Sequence, residues 1–322
     1  MQKRNRGHVL LSWVLTGALA VGMLSGCSQK KNTGNEETSQ EEMAQENSNE
    51  LQGHNEDADS NLGSWGRAMG SVLISINEGS PYYFGGYAAS EANKKAAADI
   101  LKKSWNITCR LELLEQIEYL LKTGSRKEYR QEAKEMKQLS KKKLEQAMKQ
   151  LSGQLLIHYQ LIQKNWENWD KRGLLAWDMC RVSHLVQWGY IAGYLDVEEA
   201  QAMIEPAAIK LKDNFDNWED VIMNWLDGYA LYASVDLEAA DNDYEKRKQV
   251  YDSLVSEQEK KGTLFDDSLF QKDIIPLSGI SYTSLVEEIK QEKKDKKKST
   301  KKKKIKNKKE KQQGTVSEEN KE

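Results

Sequence analysis

Three residues in this chain have the types and the spacing that acid–base chemistry uses: Asp178, Arg181 and His184. On a helix they stand at i, i+3 and i+6, so Asp178 and Arg181 can pair while His184 lies about 120° round from Asp178. Trp177 and Trp188 fall on the same side of such a helix as Arg181 and His184. Two readings are open. In one, these five residues form a polar site in a cleft floored by the indoles, suited to an anionic or sugar ligand. In the other, Asp178 and Arg181 are a structural ion pair that orients a buried helix, because either charge buried alone would be costly.

No other constellation is as suggestive. Cys180 and His184 stand at i and i+4, a spacing that can ligate a metal, but no second pair completes a tetrahedral set and His158 alone does not suffice. Neither a metal nor a cofactor is expected. Ser-His-Asp catalysis lacks a GxSxG-like elbow. The glycines of NEGSPYYFGG at 77–86 fit neither GxGxxG nor GxxxxGK[ST], so that stretch reads as a turn. Cys109 and Cys180 read as small hydrophobes on apolar helix faces, with a bridge in an oxidising compartment as the alternative.

Cys27 is a cysteine of another kind. Lys3, Arg4 and Arg6 precede an apolar run from Val9 to Leu24, and Leu24-Ser25-Gly26-Cys27 follows. That order matches a signal peptide over 1–26 ending in a lipobox, with small residues for the peptidase and a thiol to carry diacylglycerol. The expected result is a lipid-anchored protein facing outside the cytoplasm, since two or more acyl chains hold a soluble domain at a membrane. Residues 27–62 then carry nine acidic residues between Glu36 and Asp59 and few large apolar groups. Such a segment buries too little surface to offset its ordering entropy, and reads as a disordered tether.

The elements that must position the candidate site lie between the flanks. The net charge of −2 conceals an acidic segment near one end and a basic one at the other, and eight of the nine Trp fall between them. With only three Pro, this body over 63–289 is expected to be a single all-α domain. Leu111, Leu114, Ile117, Leu120 and Leu121 form one helical stripe that Gly124 ends, and Ser125 with Glu128 reads as a capping box for a solvated helix over 126–150. The helix from Leu174 to Gly193 is apolar around most of its circumference and must be buried on several sides. Asp196 with Glu199 starts the next helix, which Pro206 should kink or split, and Asn217 with Asp220 caps another.

Residues 290–322 form a Lys-rich disordered tail, with 14 Lys between Lys290 and Lys311. Basic on every side, it is no amphipathic membrane helix. It reads either as a solvated tail or as an adhesive for anionic wall polymer or lipid headgroups. Export argues against nucleic acid as its partner.

Several motifs together resemble the bacterial domain-of-unknown-function family numbered 1266. They are Trp105-Asn106-Ile107 before a Leu-rich helix, Gly124-x-Arg126, Ala176-Trp177-Asp178-x-x-Arg181, Gly189-Tyr190 to Glu199-Ala200, Phe215-x-x-Trp218 and Gly228. The resemblance spans roughly 65–270, with Ser125, Asn217 and Tyr232 where the family favours His, Ser and Trp. It implies a helical domain and no established activity, so it supplies no catalytic residue. The expected function is a membrane-anchored, non-catalytic binding or interaction module of the cell envelope. The alternative is an enzyme or ligand-binding protein using the Asp178/Arg181/His184 face.

Overall fold

The computed structural model describes residues 60–88, 90–261, 263–295 and Lys298. The expected signal peptide, Cys27, the tether up to residue 59 and the Lys run from 299 onward lie outside the described residues.

The chain is all-α. Its helices are α1 (Asn61–Ile76), α2 (Glu91–Trp105), α3 (Arg110–Lys122), α4 (Arg126–Lys137), α5 (Lys141–Met148), α6 (Gly153–Trp169), α7 (Leu175–Ile191), α8 (Val197–Lys212), α9 (Trp218–Ala233), α10 (Asp243–Lys261) and the short α11 (Ser268–Gln271). A further helical stretch covers 282–295, crossing the expected boundary at 289. No strand occurs among the described residues, and none of their helices is long and apolar enough to cross a membrane.

Side-chain caps account for four of the helix starts. The side chains of Ser60 and Ser90 accept the N–H groups of Gly63 and Asn93, which water would otherwise have to satisfy. The Asp196–Glu199 capping box forms with both of its bonds, and Asn217 accepts from Asp220 N–H. Pro206 does not split α8, which runs through it from Val197 to Lys212. Both halves of α8 are buried, and that packing against α7 and α1 outweighs the lost backbone bond. The charged stretch 126–150 is two helices rather than one, because Ser140 takes an extended backbone conformation at the start of α5.

Helix α7 is the axle of the fold. It packs against α1, α2, α3, α8 and α9, and 15 of its 17 residues are buried, so it has no solvent face to carry polar groups freely. Met179, Val182, Leu185 and Val186 are fully enclosed, each contributing about 1.5–3 kcal/mol of burial. Its first turn is held from α9: Asn224 Oδ1 accepts from Ala176 N–H at 2.8 Å, and Asn224 Nδ2 donates to Gly173 O at 2.6 Å. The C-terminal stretch docks separately. Leu285 and Ile289 are buried, while Lys290 and Lys293 pair with Glu118 and Glu115 on α3.

Candidate functional site

Asp178 is fully buried, so its charge must be answered from nearby. The α3–α4 junction answers it. Ser125 N–H donates to Oδ1 at 3.0 Å, Arg126 N–H to Oδ2 at 3.3 Å, and Arg126 Nη1 to Oδ2 at 2.7 Å. Arg181 Nη2 donates to Oδ1 as well, and also to Ser125 Oγ at 2.9 Å. The other end of the Arg126 guanidinium donates to the Leu120 and Leu121 carbonyls, which the end of α3 leaves open. Both carboxylate oxygens are thus occupied by built-in donors.

This differs from the sequence expectation in two ways. The Asp178–Arg181 pair forms, but the fully enclosed partner is Arg126, on another helix. Ser125 makes no capping bond to α4, because its hydroxyl is taken by Arg181 and its N–H by Asp178. The signal for this arrangement was the Gly124-x-Arg126 spacing: a glycine at φ +54° turns the chain so that two successive N–H groups and a guanidinium converge on one carboxylate.

His184 does not join the carboxylate. It is buried against Trp188 and Trp225, with ring centroids 6.2 Å away in each case. Burial first, and the nearby Arg181 charge second, push its pKa down to about 3, so the ring is neutral at physiological pH. Its Nε2 has no hydrogen-bond partner. Arg181 lies over the Trp177 ring at 4.6 Å and the Trp105 ring at 5.8 Å. Trp177 in turn packs on Trp225, Tyr229 and Tyr232. The contact depends on Gly228, where a β-carbon would sit 2.7 Å from Trp177 Cγ. The indole nitrogens of Trp177 and Trp225 and Arg181 Nε are buried without partners, each a group whose desolvation costs about 1–3 kcal/mol.

A second buried carboxylate escaped the sequence reading. Asp227 on α9 accepts from Lys164 Nζ at 2.8 Å, Trp169 Nε1 at 2.7 Å and Asn168 Nδ2 at 3.2 Å, all at the end of α6. Lys164 also lies 4.9 Å from the Tyr244 ring centroid, which ties α10 to the group. An acidic residue within the apolar run of α9, two positions after Trp225, was the available signal.

The thiols of Cys109 and Cys180 are free. Cys180 is buried, and that burial raises its pKa, whereas Cys109 is exposed at the residue preceding α3 rather than on an apolar face. His158 pairs with Glu132 at 2.8 Å and stands apart from Cys180 and His184. Among the described residues no three His, Cys, Asp or Glu side chains group as a metal site would require.

Four of the six motifs of the resemblance meet at one place, the first half of α7, with Trp105, Gly124, Arg126, Asp178, Arg181 and Gly228 in mutual contact or one residue removed from it. No curated protein and no solved structure matches the chain. The model of a family described as a protein of unknown function, DUF1266, matches residues 100–263, just over half of the 322. That span runs from the end of α2 through α10 and leaves α1 outside it. The chain belongs to the DUF1266 family.

Proposed function

We propose that this protein is an extracytoplasmic lipoprotein, anchored through Cys27, whose helical body is a non-catalytic binding or interaction module. The observation that carries the non-catalytic part is the use made of Asp178. Two backbone N–H groups and two guanidinium groups occupy its oxygens, and His184 is held away from it. A general acid–base pair needs one member within hydrogen-bond reach of the substrate and a matched pKa; these groups are arranged for structure. The anchor rests on the basic, apolar, Leu24-Ser25-Gly26-Cys27 order of the first 27 residues.

The test is to express the full chain in a bacterial host fed an alkyne-bearing palmitate. Wild type should take up the label and sediment with membranes, and Cys27→Ala should lose both. Equal labelling of the two proteins would end the lipoprotein reading.

The Lys-rich run fits adhesion to anionic polymer or headgroups, at about 1 kcal/mol per Lys near a charged surface. Lys290 and Lys293 are engaged by α3, so the adhesive part is the run beyond them. A second reading, a small-ligand site on the Trp177/Arg181/His184 face, is favoured by the unpaired nitrogens there.

A further inference from the structure

We propose that the seam between α7 and α9 binds a small anionic ligand, whose carboxylate or phosphate oxygens accept from the indole N–H groups of Trp177 and Trp225 and from Arg181 Nε. This rests on reading the body as a binding module and gives that module its ligand chemistry. The four unpaired nitrogens belong to one connected group of side chains. Arg181 stacks on Trp177, Trp177 lies 6.4 Å from Trp225, and Trp225 lies 6.2 Å from His184, measured between ring centroids. Trp177, Trp225 and His184 are each more than nine-tenths buried, so bulk water does not answer them.

What would satisfy this group is set by its polarity. Indole and guanidinium nitrogens only donate, and neutral His184 offers either role at Nε2. A trapped water would take two donors and then require acceptors for both of its own hydrogens, of which His184 Nε2 can supply only one. The carboxylate that Arg181 contacts, Asp178, already accepts from four groups. An oxyanion has lone pairs alone and asks for no acceptor. Charge points the same way: Arg126 and Arg181 face one carboxylate while His184 is neutral, leaving one positive charge over. Arg181, Trp105, Tyr229 and Tyr232 are the partly exposed members, so a ligand would enter between them, against aromatic faces that favour a flat organic anion.

The experiment uses the full chain labelled with ¹⁵N at the indoles, titrated separately with acetate, benzoate and inorganic phosphate. The Trp177 and Trp225 indole signals should shift together and saturate with at least one of the three. Trp177→Phe and Trp225→Phe, which keep an aromatic ring and delete the N–H, should each weaken that binding at least fivefold. Their melting curves show whether the fold survives. No saturable shift with any probe, or unchanged affinity in both variants, would overturn the proposal. Palmitate labelling at Cys27 reads the anchor independently, so failure here is distinguishable from failure of the lipoprotein reading.

Discussion

Gly124 stands against Asp178 so closely that a β-carbon on it would lie 2.6 Å from Oδ1 and nearer still to Oδ2. The carboxylate cannot retreat, because donors from α4 and α7 hold both oxygens. Gly124 also has φ +54°, a conformation that an L side chain adopts only with strain. Gly124→Ala therefore combines two penalties at one residue and should cost on the order of 3 kcal/mol. Urea unfolding of the two proteins reads this directly, and a loss below about 1 kcal/mol would mean that the α3–α4 junction is far more compliant than described.

The Asp178–Arg126 pair makes a sharper prediction. Asp178→Ala strands a guanidinium with only 5% of its side chain exposed and should cost about 3–5 kcal/mol. Removing the guanidinium too, with Arg126→Met, takes away the stranded charge and fills its space with an apolar chain. The double variant should be more stable than the sum of the single losses by about 2 kcal/mol or more. Arg181 does not spoil the cycle, since its lost contact with Asp178 enters the Asp178→Ala single variant and the double variant alike. Additive losses would show that the two groups answer to other partners.

How far the sequence carried the fold follows from what its signals are. Apolar spacing and caps are local, so the buried α7, the capping box at Asp196 and the cap at Asn217 could be read directly from residue order. The pairing of Asp178 with Arg126 spans 52 residues, and although Gly124-x-Arg126 marks a turn, nothing local names the carboxylate that the turn serves. Ser125 misled for the same reason: its spacing to Glu128 is that of a capping box, but Arg181, reaching over from α7, takes its hydroxyl. Asp227 was hidden because a carboxylate in an apolar run shows nothing of the lysine, indole and amide that answer it from α6. The candidate site was legible as a face of α7. Its partners on α3, α4 and α9 were not.

His184 links this buried polarity to pH. In the unfolded chain its pKa is about 6.5, and in the fold burial and Arg181 hold it at about 3. Between those values the unfolded state binds a proton that the folded state refuses, so stability falls as pH is lowered. The neutral form's full contribution is present above about pH 6.5 and is lost progressively below it. From pH 7.5 to 5 the loss from this residue should be about 2 kcal/mol, the slope approaching 1.36 kcal/mol per unit of pH below 6.5. His184→Phe keeps a buried aromatic ring that cannot titrate, and should flatten that part of the profile while carboxylate titrations at lower pH persist. Urea midpoints of wild type and variant at pH 7.5, 6 and 5 make the comparison. Parallel profiles would mean that His184 finds a proton-accepting neighbour or solvent in the folded protein. Neither fits a ring held at 3% exposure between Trp188 and Trp225 with its Nε2 unpaired.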